Sequence, residues 1–236
     1  MVETGDLREG VIGDHIVDFY EQIFELPNIE IIGLGTNLNC LNGVMPSSDK
    51  LIQLSLYKQI IELKFNKRIP WVSAGTSVTI PMIKTHQLPK GINHFRIGET
   101  LYFGVDLFEE KIIPGMHGDV FELNAEIIEM QEKSLLPTGT LAANPQGEIV
   151  EIDERLYGKT SFRAILDIGL LDIDPKYLIA KDDEFEILGA SSDMLILNLG
   201  KNPKGYKVGD LIKFNLKYMG ALGIMNSSYV DKVIIN

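Results

Sequence analysis

Two segments of this chain each combine a strand-like apolar run with residues that suit an anion. Segment 71–74 is apolar and leads into small and hydroxyl residues, with a predicted helix that begins at Ser77. Further along, Arg96 ends a second strand-like run, and Gly98 follows where backbone can approach a ligand closely. Small, donor-rich strand ends suit a phosphate, and an arginine adds a permanent positive charge beside them. The pattern predicts an anion site formed by Ser77, Gly98 and Arg96.

Each of these residues also has a purely structural interpretation. Ser77 is a good helix N-cap, Arg96 could form an ion pair at a strand end, and Gly98 could belong to a β-bulge. The residue types and their spacing leave both interpretations open for each position.

The overall charge excludes some partners. The net charge is −11 and the isoelectric point is about 4.8, and no basic cluster offsets this acidity. Nucleic acid and anionic membrane surfaces are therefore not expected as partners. The sequence contains no run of about 18 apolar residues, so no membrane span is predicted. The acidic first residues do not resemble a signal peptide.

The cysteine and histidine content bounds the chemistry further. The single cysteine, Cys40, excludes an internal disulfide framework and favours a cytoplasmic location. The four histidines show no metal-ligand spacing, so we expect no metal site. Hydrophobic residues make up 45% of the chain and charged residues 23%, which is typical of a globular protein.

The first half of the chain alternates predicted strands with predicted helices. The strands are expected at 29–34, 69–73, 93–97 and 100–104, and the helices at 14–27, 48–65 and 77–84. This alternation predicts parallel β-α units. There are three or four units, too few to close an eight-stranded barrel of roughly 250 residues. We expect a partial parallel (β/α) barrel over residues 1–110.

The periodicity changes at Pro114-Gly115. The apolar runs that follow are short and are separated by glycine, proline and asparagine, as is typical of antiparallel strands. The expected strands are 121–130, 160–168, 186–189, 194–199, 211–216 and 229–235. Residues 111–236 are therefore predicted to form a second, β-rich domain of barrel or sandwich type.

In this order along the chain, these motifs resemble the alanine-racemase-like (fold-type III) pyridoxal-phosphate enzymes. The segments that carry the resemblance are 3–10, 33–37, 73–77, 96–99, 189–197 and 208–210. Asn37 stands where alanine racemases have a histidine against the pyridine ring. Segments 168–175 and 227–230 favour the ornithine-racemase-like branch. The chain resembles the C-terminal two-thirds of such an enzyme.

The resemblance implies a cofactor, a reaction and a set of site residues. The cofactor is pyridoxal 5'-phosphate, and the reaction interconverts L- and D-amino acids by removing and returning the α-proton, with ornithine or an alanine-like amino acid as substrate. Arg96 would face the pyridine nitrogen, and Ser192 and Asp193 would face the substrate. The remaining cofactor-binding positions are Arg8, Asn37, Ser77, Gly98 and Glu99. A homodimer is expected, because the family's active sites lie between one subunit's barrel and the partner's β-domain.

Two departures from the family pattern bear on catalysis. The family's cofactor-binding lysine lies on the first barrel strand, and no lysine here stands in a matching context. Leu170 follows Gly169 where alanine racemases have a catalytic tyrosine, which leaves Tyr218 and Tyr229 as weak candidates for the second base. We therefore expect this chain to be incomplete and inactive by itself. A non-catalytic pyridoxal-phosphate-binding or dimerisation module is the alternative.

Overall fold

The computed structural model describes residues 1–143, 147, 149, 151–181 and 185–235. The chain forms two compact units, Met1–Val120 and Phe121–Asn236. Each unit is described separately below.

The first unit is built on a parallel sheet. Strands β1 (Gly33–Gly35), β2 (Trp71–Thr76) and β3 (His94–Arg96) lie in the order β1-β2-β3, and both pairs are parallel. Val2 extends this sheet, because its amide donates to the Gly35 carbonyl at 2.7 Å. Parallel strands place their carboxyl ends at one edge of a sheet, so the residues after each strand meet there.

Helices cover the sheet and bury its apolar side chains. Helix α1 (Ile16–Phe24) precedes β1, and helix α2 (Ser48–Phe65) connects β1 to β2. The core that these elements share is aliphatic apart from one tyrosine and consists of Val2, Ile16, Tyr20, Leu34, Leu51, Leu54, Ile61, Ile69, Val72, Ala74, Met82 and Ile92. The predicted partial (β/α) barrel is confirmed, although β1 is shorter than the expected strand at 29–34.

One prediction in this unit is wrong. Segment 100–104 was expected to be a strand, but Glu99–Phe103 forms a short helix, α4, which follows helix α3 (Ile80–Lys84) along the chain. The Ser77 hydroxyl accepts a hydrogen bond from the Thr100 amide at 3.2 Å, which satisfies a first-turn donor of α4. Gly104, with φ of 65°, then ends the helix in the left-handed conformation. The local apolar run did not reveal this tertiary cap.

A short hairpin completes the first unit. Strands β4 (Val105–Asp106) and β5 (Lys111–Ile112) pair antiparallel. The Asp106 carboxylate is buried and accepts from Lys84 Nζ and from the Phe108 amide, each at 3.1 Å. These bonds fix the chain that leaves α4 against α3.

The second unit contains a six-stranded antiparallel sheet. Its strands are β6 (Glu122–Ser134), β7 (Thr160–Leu166), β8 (Leu178–Ala180), β9 (Glu186–Ala190), β10 (Leu195–Asn198) and β11 (Leu211–Leu216), in the order β8-β11-β6-β7-β10-β9. The predicted β-rich character is confirmed, and β11 has the predicted bounds. The strand expected at 229–235 is wrong: helix α5 (Tyr218–Ile224) follows β11, and residues 229–235 form no strand.

Two features are absent from the residues that the structure describes. None of the helices there is long and apolar enough to cross a membrane. The same residues hold no group of three or more His, Cys, Asp or Glu side chains that is placed to bind a metal ion.

Gly75 in β2 allows this strand to approach Phe95 of β3 closely. The register shifts between Ser73 and Gly75, and a Cβ added at Gly75 would lie 1.8 Å from a ring carbon of Phe95.

We expect Gly75→Ala to lower the free energy of unfolding by about 1–3 kcal/mol, because the ring must move. Urea unfolding would measure this change. The control is Gly98→Ala, whose added Cβ meets nothing within 4 Å. Equal stability of the two variants would contradict the steric argument.

Candidate cofactor site

The side chain of Arg96 joins the residue that follows β1 to a residue within β2. Its Nη2 donates to the Thr36 carbonyl at 2.8 Å, directly after β1. Its Nη1 donates to the Ser73 carbonyl at 3.1 Å, within β2, and also to the Ser73 hydroxyl. The guanidinium therefore bridges the carboxyl end of β1 and the neighbouring strand.

These bonds leave part of the guanidinium for a ligand. Arginine carries five N–H donors and no acceptor. Three contacts to Thr36 and Ser73 are described, so about two donors remain. Burial lowers the pKa of Arg96, Glu9 opposes that shift and Arg8 adds to it. The group stays charged at any working pH, because the ordinary pKa of an arginine lies far above neutrality.

Ser77 and the start of α4 form a second cluster at the same edge. Ser77 is 8% exposed, and its Oγ accepts from the Thr100 amide. Because the Ser77 oxygen serves as an acceptor there, its hydroxyl hydrogen can donate to a ligand. A Cβ added at Gly98 would meet no atom within 4 Å, so open space lies over this backbone. Hydroxyl and amide donors beside open space suit a phosphate.

Glu99 is an acidic residue next to these donors. Its side chain is partly buried, and burial raises its pKa. The carboxyl group is the acidic neighbour of these donors, so only the backbone amide of Glu99 suits a phosphate.

Arg8 forms an ion pair with its neighbour. Its guanidinium donates to both Glu9 carboxylate oxygens, with Nη2 to Oε1 at 2.8 Å. The pKa of Arg8 is raised chiefly by this bond, and the pKa of Glu9 is lowered chiefly by the same bond and further by the charge of Arg96. The predicted cofactor residue Arg8 therefore lies within electrostatic range of Arg96.

Asn37 makes a local contact beside the arginine. Its Oδ1 accepts from the Leu38 amide at 3.1 Å, as in a turn after a strand. The preceding residue, Thr36, is buried and shares a 2.6 Å hydrogen bond with the Thr4 hydroxyl. Asn37 thus follows directly the carbonyl that receives Arg96, while its own side chain stabilises the turn.

Sequence analysis missed a buried carboxylate that organises the neighbouring loop. Asp6 is 1% exposed, and its carboxylate accepts from the amides of Leu41, Asn42 and Val44 at 2.9–3.2 Å. Burial by itself raises the pKa of Asp6, but the backbone hydrogen bonds outweigh it and lower the pKa below its usual value. An aspartate beside a glycine in segment 3–10 was the only signal in the sequence.

Within the second unit, the predicted substrate residues lie in a tight turn between β9 and β10. The Ser192 hydroxyl donates to Asp193 Oδ1 at 2.8 Å, and both residues are exposed. The Ser192 carbonyl accepts from the Leu171 amide at 2.8 Å. A Cβ at Gly169 would lie 2.5 Å from the Asp193 amide, so this glycine lets the two turns meet.

The two tyrosines proposed as bases have different surroundings. Tyr218 begins α5 and is 38% exposed, whereas Tyr229 is 85% exposed and its amide donates to the Ser227 hydroxyl at 3.1 Å. Neither position by itself identifies a proton-transfer role. Both assignments stay predictions.

The comparisons with known proteins agree with this architecture. Residues 1–106 match the family described as alanine racemase, N-terminal domain. The chain is 39% identical to the ornithine racemase of Acetoanaerobium sticklandii over 236 residues, which cover all of this chain and 66% of that protein. It is 34% identical to the lysine racemase of Thermotoga maritima over 233 residues, or 99% of this chain and 64% of that protein.

Solved structures show the same fold. The alanine racemase of Clostridium difficile superposes with a TM-score of 0.57 at 16% identity, covering 95% of this chain and 58% of the other. The alanine racemase of Bartonella henselae, solved with covalently bound pyridoxal phosphate, gives 0.57 at 18% identity, over 89% and 55%. The chain spans about two thirds of the length of the curated relatives that it matches.

A partial (β/α) barrel followed by an antiparallel β-unit is the architecture that this chain shares with the solved alanine racemases. The chain belongs to the alanine-racemase-like family. Within that family it is similar to the ornithine-racemase-like branch. The predicted family and the family's cofactor, pyridoxal 5'-phosphate, are confirmed.

The stability that Asp6 gives to the loop at residues 41–44 should depend on pH. A carboxylate whose pKa is lowered by folding adds stability above its unfolded pKa of about 3.9 and loses it as the pH falls through the folded value. We expect Asp6→Asn to unfold at lower urea concentration than the wild type at pH 7, with the difference shrinking toward zero below about pH 3. The control is Asp14→Asn, at an exposed position of the same unit. A difference that persists unchanged in acid would contradict the role of the charge.

Proposed function

We propose that this chain carries the cofactor-holding part of a pyridoxal-phosphate-dependent amino-acid racemase. The observation that carries the proposal is the position of Arg96 between the carboxyl end of β1 and Ser73 of β2, with the Ser77 cluster directly after β2. One group is a fixed cation and the other is a set of neutral donors. This donor set fits the two polar ends of pyridoxal phosphate, its ring nitrogen and its phosphate.

At the phosphate end, neutral donors provide the binding. The Ser77 hydroxyl and the backbone amides of Gly98 and Glu99 would hold the phosphate oxygens, while the Glu99 side chain turns away. Hydrogen bonds to a charged group are each worth about 1.5–3 kcal/mol when the donors are already aimed. The bond from the Thr100 amide to Ser77 fixes the serine in advance.

At the ring end, Arg96 would donate to the pyridine nitrogen. When bound, pyridoxal phosphate supplies the electron sink that makes the α-proton of an amino acid removable. A guanidinium does not surrender its proton at working pH, so Arg96 would leave the ring nitrogen unprotonated. This role would favour return of the α-proton over side reactions.

The substrate is proposed from the relatives and from the turn between β9 and β10. The two curated relatives are named for ornithine and lysine, both of which carry a second ammonium group. We propose a basic amino acid, with Ser192 and Asp193 facing it. The exposed Asp193 carboxylate offers the negative charge that an ammonium group needs.

Two expectations from the sequence remain predictions. The first is that the lysine that binds the cofactor is not among those of this chain, and the second is that this chain alone is inactive. The alternative module would bind pyridoxal phosphate without exchanging the α-proton of any amino acid.

The role of Arg96 can be tested by spectroscopic titration with pyridoxal phosphate. We expect Arg96→Ala to weaken binding by about tenfold or more, because a charge-assisted contact of about 1.5–3 kcal/mol is lost, and to shift the absorbance of the bound cofactor. Glu99→Gln is the control and should change neither quantity much, since only its backbone contributes. Tight binding by Arg96→Ala with an unchanged spectrum would make Arg96 merely structural. Exchange of the α-proton of L-ornithine or L-lysine for deuterium by this chain alone would exclude the non-catalytic module and would contradict the prediction that the chain alone is inactive.

A homodimer is the second part of the proposal. Helix α2 buries Leu51, Leu54 and Ile61 in the core of the first unit. A different stripe of the same helix is exposed and equally apolar, formed by Ile52, Leu56, Ile60 and Leu63. Leu63 is 84% exposed, and a continuous apolar stripe of this kind favours association.

Light scattering at micromolar concentration should therefore give at least twice the chain mass of 26.4 kDa. The apolar stripe on α2 and the family arrangement both favour this outcome. A single monomer peak over the same concentration range would count against the homodimer.

A further inference from the structure

Ser73 links Arg96 to a histidine. The Ser73 hydroxyl accepts from Arg96 Nη1, and on its other side it lies 2.8 Å from His94 Nδ1. His94 and Ser73 are partners in the register between β2 and β3, and Arg96 lies two residues after His94 on the same strand. The three side chains form one hydrogen-bonded row, His94–Ser73–Arg96.

The direction of each bond in this row follows from the donors and acceptors that the three side chains carry. A guanidinium has only donors, so the Ser73 oxygen must be the acceptor toward Arg96. The serine hydrogen is then available for His94 Nδ1, which can accept it only when that nitrogen carries no proton. The neutral imidazole with its proton on Nε2 is the form that completes the row.

The Ser73 hydroxyl differs from the other described partners of Arg96. Those partners are the backbone carbonyls of Thr36 and Ser73. The Ser73 hydroxyl is the one described side-chain partner whose orientation another residue can control. His94 is that residue.

We propose that His94 is a positioning residue for Arg96, acting through the Ser73 hydroxyl. This inference rests on the proposed function, in which Arg96 faces the ring nitrogen of pyridoxal phosphate. By accepting the serine hydrogen, His94 keeps the Ser73 oxygen turned toward Arg96 Nη1. The guanidinium then presents its remaining donors to the cofactor in one orientation.

The surroundings of His94 hold its ring in place. The imidazole stacks on Trp71 with ring centroids 5.1 Å apart and an interplanar angle of 19°. Arg96 is the charged group joined to it through Ser73, and Glu9 and Arg8 act on Arg96 from the neighbouring loop. A protonated His94 would have to donate to the same oxygen that Arg96 already uses, which places two cations on one hydroxyl.

The first test uses the protein without cofactor. Nitrogen-15 labelling of the histidines reports which ring nitrogen carries the proton. We expect His94 to hold the Nε2 proton with an accepting Nδ1 in the wild type, and Ser73→Ala to shift the Nδ1 resonance because the donor is gone. An identical His94 signal in the two proteins would overturn the proposal.

The second test measures pyridoxal-phosphate affinity and absorbance. We expect Ser73→Ala and His94→Leu each to weaken binding about fivefold, the equivalent of one hydrogen bond of about 1 kcal/mol. The double variant should be no weaker than either single one, because both act through one row. His94→Asn should restore much of the affinity, since its Oδ1 can accept in place of Nδ1, and His117→Leu is the control at an exposed histidine.

The outcomes separate this inference from the proposed function. Additive losses, or no loss in His94→Leu, would overturn the positioning role while leaving Arg96 as the cofactor residue. Failure of the wild type to bind pyridoxal phosphate would overturn the proposed function and, with it, the effect of His94 on the cofactor. The labelled-histidine spectra would then decide alone whether His94 controls the Ser73 hydroxyl.

Discussion

The Arg96 side chain is the cation that joins β1 to β2 in the first unit. The Thr36 carbonyl, directly after β1, accepts from Nη2, and the Ser73 carbonyl, within β2, accepts from Nη1. The Ser73 carbonyl also accepts from the Thr36 amide, so the guanidinium adds to a pairing that the two strands already make. The bonds that join these strands are therefore the same bonds that hold the guanidinium in one orientation.

The sequence was informative where a residue's role depends on its type and its immediate neighbours. Helix α2 and strand β11 have the predicted bounds, because their apolar periodicity is decided locally. Arg96 and Ser77 could be proposed as site residues because an arginine and a hydroxyl at successive strand ends suit an anion, while each also has a structural interpretation. The family resemblance added the order of these motifs along the chain.

The rest required the register between strands. His94 meets Ser73 only because the β2–β3 pairing has one alignment, which shifts at the bulge before Gly75. No pattern in one sequence specifies that alignment. The same holds for the helix at Glu99–Phe103, since its cap comes from Ser77 on another element. The apolar tail at 229–235 looked like a strand by composition but has no strand partner in the part of the chain that the structure describes.

The partners of Arg96 also have an evolutionary consequence. A carbonyl belongs to the backbone, so substitution of the side chain at position 36 or 73 does not remove it. Two of the three described bonds to the guanidinium are of this kind. Relatives can therefore differ in the side chains at these positions and still keep the two carbonyl bonds that hold the guanidinium in place. Inheritance of the arginine alone would then preserve the site through extensive divergence of its neighbours.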